Sequence, residues 1–232
     1  MKKKIIVVAY HIGRVGSSAM MGLLKAAGFN AGDPAKMTAP APMNPKGFFE
    51  LKEQNRFLGE AFKKYYPDIV NPPSIETVLK AAKSHHHDYN RLIKKELGEK
   101  TPYIVKAQRF LALSFFHYLR DEYDVKVIVM NRDEQKQVES ILRVWRSDHS
   151  SPFQKEAPVD FVIDWIRKWK MFSNRFMELF DFDYYPVSFE ELMSDSDTQV
   201  NGIFNFIGEP IPSREIIDNW LDKSLVNRPK YT

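Results

Sequence analysis

The fold is decided near the start of the chain by residues 5–18, which read IIVVAYHIGRVGSS. The first six of these residues form an apolar, largely β-branched run, which is typical of a strand covered on both faces. A tight turn with Gly13, Arg14 and Gly16 follows, and residues 17–27 then have the pattern of a helix. This order predicts an α/β unit whose turn lies at the carboxyl end of a buried strand.

The alternation of strands and helices continues along the chain. The sequence predicts further strands at residues 102–106, 125–130 and 184–187, and helices at residues 51–65, after Ser74, and at residues 110–123, 134–146, 161–180, 200–207 and 216–221. The proline-rich residues 32–47 are predicted to form a long loop without regular structure. The pattern favours a parallel sheet with right-handed crossovers. We therefore predict one α/β domain over residues 1–232, with a three-layer P-loop-like fold in which helices flank a central parallel sheet.

The composition excludes several classes of protein. The 232 residues include no cysteine, which excludes a disulfide scaffold, a thiolate nucleophile and a cysteine-ligated zinc site. This composition is compatible with the cytoplasmic location that we predict. The net charge of +4 is too small for a dedicated nucleic-acid binder but suits a protein that holds a small polyanion. We expect no membrane span and no metal site, because the consecutive histidines 85–87 point in different directions on a helix.

The turn after the first strand predicts a phosphate site. Glycines allow close backbone approach, and the N–H groups and hydroxyls at the start of the next helix favour an anion. Arg14 adds a planar guanidinium suited to phosphate or sulfate oxygens. A nucleoside-triphosphate P-loop has lysine where Ser17 stands in this sequence. The chain therefore lacks the lysine with which a kinase binds the β- and γ-phosphates. The candidate binding residues of this loop are Gly13, Arg14, Val15, Gly16, Ser17 and Ser18.

Four segments, taken in chain order, resemble the sulfotransferases that use 3′-phosphoadenosine 5′-phosphosulfate (PAPS). They are residues 13–18, residues 44–50 (NPKGFFE), Arg132 with Ser140, and residues 186–192 (PVSFEEL) followed by 206–208 (FIG). The first is similar to the family's 5′-phosphosulfate loop and the third to its 3′-phosphate site. The resemblance implies PAPS as donor, adenosine 3′,5′-bisphosphate (PAP) as product, no metal, and a small-molecule, lipid or carbohydrate acceptor. The oligomeric state stays open.

The binding residues implied by the resemblance include two departures from the family pattern. Phe189 stands where the family often has a tyrosine that helps hold the adenine. Arg228, within residues 227–230 (NRPK), is the nearest basic group to the family's late Arg-Lys-Gly and a candidate for the 3′-phosphate. Ser140 follows Arg132 by about two helical turns, so a helix folded back beside the strand end brings both to one phosphate.

The catalytic candidates are two cations and two bases. Arg14 and Lys106 are candidates to neutralise the departing phosphate, in a reaction governed by positioning and charge stabilisation. The family's His or Asp after Lys106 is absent, so Glu50 is the first candidate for the base and His11 the alternative. Glu50 at a helix terminus and His11 packed in the interior, each without a catalytic role, are the structural alternatives.

Two other functions compete with a sulfotransferase, namely a P-loop kinase and a non-catalytic nucleotide-binding module. Residues 37–43, 65–73 and 147–158 are expected to line the acceptor site.

Overall fold

The sheet forms the centre of the molecule. The structure, a computed structural model, describes residues 2–41, 44–63, 70–108, 110–147 and 156–221. Within them four strands pair in parallel in the order β2-β1-β3-β4. The strands are β1 (Lys3–Tyr10), β2 (Tyr103–Gln108), β3 (Tyr123–Asn131) and β4 (Tyr184–Ser188). The predicted parallel sheet is confirmed.

The described residues form nine α-helices, most of them where the sequence predicts a helix. They are α1 (Ser17–Ala26), α2 (Lys52–Lys63), α3 (Ile75–Leu97), α4 (Leu111–Tyr118), α5 (Glu134–Ser147), α6 (Val159–Phe180), α7 (Phe189–Ser194), α8 (Ser196–Ile207) and α9 (Arg214–Trp220). None of these helices is long and apolar enough to cross a lipid bilayer.

The helices flank the sheet as the predicted fold class requires. The chain moves in opposite directions across the sheet between β1 and β2 and between β2 and β3. Right-handed crossovers, which are the rule for parallel strands, predict that α1 and α4 lie on opposite faces. Helix α1 contacts α9, whereas α4 packs against α3. Ring contacts of Phe110 with Phe176 and of His117 with Phe180 join α4 to α6. The α/β class, with helices around a central parallel sheet, is confirmed.

Strand β1 lies at the centre of the core. Residues 5–9 are completely buried, as the uninterrupted apolar run predicts for a strand between two helical layers. The strand pairs with β2 from Ile5 and Tyr103 to Tyr10 and Gln108, and with β3 from Lys3 to Ala9. Its last residues therefore lead directly into the turn that starts at His11.

Several element boundaries differ from the sequence predictions. Helix α4 ends at Tyr118 and β3 begins at Tyr123, whose buried hydroxyl donates a hydrogen bond to Asn90 Oδ1 of α3 at 2.8 Å. The proline-rich segment contains a 3₁₀ turn at Pro34–Lys36, where Asp33 caps the turn and Pro34 occupies its first position. Helix α9 starts at Arg214, two residues before the predicted start, because Ser213 caps it. Most of the predicted loop 147–158 lies outside the described residues.

Candidate active site

The predicted phosphate loop is a turn of unusual backbone geometry. Gly16 precedes α1 with φ of +81°, and Arg14 also has a positive φ, of +73°. No side chain of the described residues caps α1, and its fully described first turn has no acidic residue. The backbone N–H groups and the dipole at this helix start therefore present a positive end without a carboxylate.

Strand β4 places an aromatic ring over the loop. A Cβ atom added to Gly16 would lie 2.1 Å from Cδ2 of Phe189, the first residue of α7. The guanidinium carbon of Arg132 stands 5.0 Å from the centre of the same ring. Gly16 thus permits both the positive φ and the close approach of Phe189.

The loop, the end of β3 and helix α5 meet at Arg14. Its Nε donates to Ser140 Oγ on α5 at 3.1 Å, and its carbonyl accepts from Arg132 Nη1 at 2.9 Å. The structure therefore brings together the two residues that the sequence spacing predicted to share one phosphate, with Arg14 between them. Helix α5 begins at Glu134, immediately after this strand end.

Arg132 is held in a partly buried position beside one carboxylate. Its Nε lies 3.4 Å from Glu190 Oε1 and makes no hydrogen bond with any described residue. Glu190 in turn accepts from the backbone N–H of Asp133 at 3.0 Å. Burial lowers the pKa of the Arg132 guanidinium, and the Glu190 charge opposes this shift.

A second cluster surrounds Lys106 on β2. Lys106 Nζ donates to Ser18 Oγ at 3.1 Å, to the Phe48 carbonyl at 2.8 Å and to Glu50 Oε1 at 2.9 Å. The Lys106 side chain is only 4% exposed, whereas that of Glu50 is 21% exposed. Burial lowers the pKa of Lys106, the Glu50 carboxylate opposes the shift and Arg14 adds to it. Tyr10 donates a longer bond, 3.3 Å, to the same Glu50 oxygen.

The segment that carries Glu50 is attached on both sides. Asn44 Nδ2 donates to Ser18 Oγ at 2.9 Å on the inner side. On the outer side the ring of Phe49, whose φ is +54°, meets the ring of Trp220 edge to face at 5.5 Å. Lys46 donates to the carbonyl of Asn219. Helix α9 therefore holds this segment against α1 and the phosphate loop.

His11 lies apart from the Lys106 cluster in its hydrogen bonding. Its Nε2 is 3.2 Å from Gln137 Oε1 on α5, and only 3% of the residue is exposed. Burial lowers the pKa of His11 to about 4, the Lys170 charge adds to the shift and the Gln137 bond opposes it. Gln137 Nε2 also donates to the carbonyls of Ile12, at 3.2 Å, and Gly13, at 3.0 Å.

The sequence analysis found most of these groups but missed some supporting residues. Gln137 lies three positions before Ser140, and this helical spacing places both on one face of α5, a signal that the sequence contained. Tyr10 and Trp220 carried no comparable signal, because their roles depend on tertiary contacts. The candidate Arg228 lies outside the described residues.

The two clusters give the site complementary chemistry. Arg14 and Arg132 supply permanent positive charge at the loop, and Ser18 links the loop to the Lys106–Glu50 ion pair. Such an arrangement can hold an anionic group at the loop and offer a carboxylate close by as a proton acceptor. In the described part of the chain no group of His, Asp and Glu residues is arranged to hold a metal ion.

A comparison of the sequence with protein families decides the assignment. The model of the sulfotransferase family matches residues 14–213, a range that runs from the phosphate loop to the cap of α9. The chain belongs to the sulfotransferase family. Among curated proteins no sequence matches this sulfotransferase significantly.

Solved structures similar to this sulfotransferase include two sulfotransferase domains and a kinase. The domain from the curacin biosynthetic pathway is 14% identical, with 93% of this chain and 76% of that chain covered and a TM-score of 0.48. The domain from the Synechococcus PCC 7002 olefin synthase is 15% identical, with 97% and 79% covered and a TM-score of 0.46. Deoxyadenosine kinase from M. mycoides with bound dATP is 13% identical, with 89% and 100% covered and a TM-score of 0.41. Because these scores are low, the family assignment rests on the sequence match.

Proposed function

We propose that this sulfotransferase transfers a sulfuryl group from PAPS to a hydroxyl or amine of an acceptor and releases PAP. The observation that carries the proposal is the hydrogen-bonded group of Arg14, Arg132 and Ser140 beside the uncapped start of α1. It joins the segments that resemble the family's 5′-phosphosulfate and 3′-phosphate sites. The acceptor is proposed to be a small molecule, lipid or carbohydrate, and the proposed location is cytoplasmic.

The residues of the site fit a donor with two anionic groups. The buried Nε of Arg132 faces Glu190 Oε1 at 3.4 Å but makes no hydrogen bond with any described residue, so an anionic ligand that accepts from this guanidinium would gain a charged hydrogen bond. Gly13, Val15, Gly16 and Ser17 would bind the 5′ end through the backbone and the helix start. Phe189 would pack against the nucleotide, and Arg228 is proposed to assist at the 3′-phosphate.

The proposed reaction is an in-line transfer that requires no metal ion. The acceptor oxygen or nitrogen forms a bond to sulfur while the bond between sulfur and the 5′-phosphate oxygen breaks, and that oxygen leaves as phosphate in PAP. We propose that Arg14 and Lys106 stabilise the charge on the leaving phosphate. The acceptor proton passes to Glu50, which is partly exposed and oriented by Lys106. The alternative base, His11, is almost completely buried and bonded to Gln137.

Two other functions make different predictions. A P-loop kinase requires Mg-ATP, and the serine in place of its lysine counts against it. A non-catalytic module would bind PAP without transferring sulfate to any acceptor, and the missing His or Asp after Lys106 is what favours it.

Calorimetric titration with PAP, compared with ATP and Mg²⁺, tests the proposal. We expect metal-free PAP binding that Arg132→Ala weakens at least about tenfold, because a hydrogen bond to a charged group is worth about 1.5–3 kcal/mol. Arg120→Ala is the matched control, since Arg120 also donates to a backbone carbonyl and stacks on a phenylalanine ring, at 4.5 Å. Indifference of the wild type to PAP would contradict the proposal, and preference for Mg-ATP would favour the kinase.

A further inference from the structure

Helix α5 contacts the phosphate loop through a side chain that has no part in the proposed chemistry. Gln137 is only 1% exposed and lies one helical turn before Ser140. Its amide makes three hydrogen bonds, to the carbonyls of Ile12 and Gly13 and to the ring of His11. A buried amide with all these partners fixes its neighbours in one arrangement.

The two carbonyl bonds determine which way the loop peptides face. In a trans peptide unit the C=O and the N–H point in opposite directions. Because Gln137 binds the carbonyls of Ile12 and Gly13, the N–H groups of Gly13 and Arg14 are directed away from α5. Successive N–H groups on one side of a turn form a concave site for an anion.

His11 determines the orientation of the amide itself. Both N–H groups of Gln137 Nε2 are directed to carbonyl oxygens, so Oε1 accepts a hydrogen bond from the N–H of His11 Nε2. The reversed amide would set Oε1 against two carbonyl oxygens. A neutral imidazole with its proton on Nε2 satisfies the arrangement, and this form agrees with the burial of His11.

We propose that Gln137, oriented by His11, is a positioning residue that turns the N–H groups of the phosphate loop toward the anionic end of the donor. The inference rests on the proposed function for the identity of that donor. It assigns His11 a place behind the loop in addition to its position at the end of β1. Helix α5 then positions two groups that bind the donor. Gln137 orients the peptide units of the phosphate loop, and Ser140 accepts a hydrogen bond from Arg14.

The test compares Gln137→Met with Asn90→Leu, a matched variant on α3 beside the start of β3. Asn90 is also a buried amide with two side-chain partners, since it donates to Glu122 at 2.6 Å and accepts from Tyr123 at 2.8 Å. Both Gln137→Met and Asn90→Leu should lower the melting temperature. Only Gln137→Met should also weaken PAP binding, by about tenfold or more in calorimetric titration, because the N–H groups lose their orientation toward a charged ligand.

Equal PAP affinity of Gln137→Met and the wild type would overturn the inference. If Gln137→Met does not fold, His11→Phe serves instead, since it leaves Gln137 in place but removes the donor to Oε1; weaker PAP binding supports the inference and unchanged binding overturns it. Inorganic pyrophosphate, titrated in parallel, separates the two proposals. A wild type that binds pyrophosphate but not PAP contradicts the proposed function alone, and the Gln137 comparison then proceeds with pyrophosphate; binding of neither contradicts both.

Discussion

Glu50, the proposed base, combines a fixed orientation with partial exposure to solvent. Lys106 and Tyr10 donate to its Oε1 at 2.9 and 3.3 Å, and Asn55 donates to its Oε2 at 3.2 Å. About one fifth of the side chain is nevertheless exposed. The ion pair with the buried Lys106 also places a cation next to the proton acceptor, so loss of either partner leaves a partly buried charge unpaired.

Replacement of Glu50 by glutamine, which exchanges one carboxylate oxygen for an NH₂ group, tests the proposed role of Glu50 as the general base. Glu50→Gln retains the shape and an oxygen for Lys106, but it accepts no proton and removes the counter-charge of Lys106. We expect turnover to fall about 10²–10⁴-fold while PAP affinity stays near that of the wild type. The measurement is release of PAP from PAPS with a panel of hydroxyl and amine acceptors. Glu53→Gln is the control, because Glu53 pairs with Arg56 on the exposed face of α2. Unchanged turnover of Glu50→Gln would contradict the assignment and direct attention to His11.

The elements around the site differ in how far the sequence predicts them. The phosphate loop was predicted because its glycines, arginine and serines lie together between a strand and a helix. The attachment of residues 44–50 to α9 was not, because it depends on Trp220, far along the chain. A Cβ atom on Gly22 would lie 2.1 Å from the Trp220 ring. Contacts of this kind arise only when the helices pack, and no local periodicity reports them.

Substitution of Gly16 by alanine has two separate costs, one for the positive φ and one for the contact of the new Cβ atom with Phe189. Gly16→Ala should destabilise the protein by the φ cost of about 1 kcal/mol and by a further steric cost, because its Cβ would overlap the Phe189 ring. Gly28→Ala is the matched control, since Gly28 has φ of +99° and open space around it. Urea unfolding should show the larger loss for Gly16→Ala, and Phe189→Ala in the same chain should reduce the difference. Equal losses for the two alanine variants would show that the ring moves aside freely.

At the scale of the whole molecule, the sheet order explains why distant residues converge. Parallel strands end at the same edge, so His11 after β1, Lys106 near the end of β2, Arg132 after β3 and Phe189 after β4 all lie at the carboxyl edge. The parallel sheet that the sequence predicts is sufficient to bring these residues to one edge. The sequence could not predict that Lys106 pairs with Glu50 or that His11 faces α5, because those choices depend on side-chain packing between elements.

The burial of His11 couples the stability of the whole molecule to pH. Burial lowers its pKa from 6.5 to about 4, so between these values the unfolded chain binds more protons here than the folded chain. The free energy of unfolding should therefore fall as the pH decreases through this window, by up to about 3 kcal/mol from this one group. His11→Gln retains an N–H donor for Gln137 but does not titrate, so urea unfolding between pH 7 and pH 4 should show a smaller acid loss in this variant. His87→Gln, at an exposed position on α3, controls for removal of a histidine, and an equal acid loss in His11→Gln and wild type would contradict the prediction.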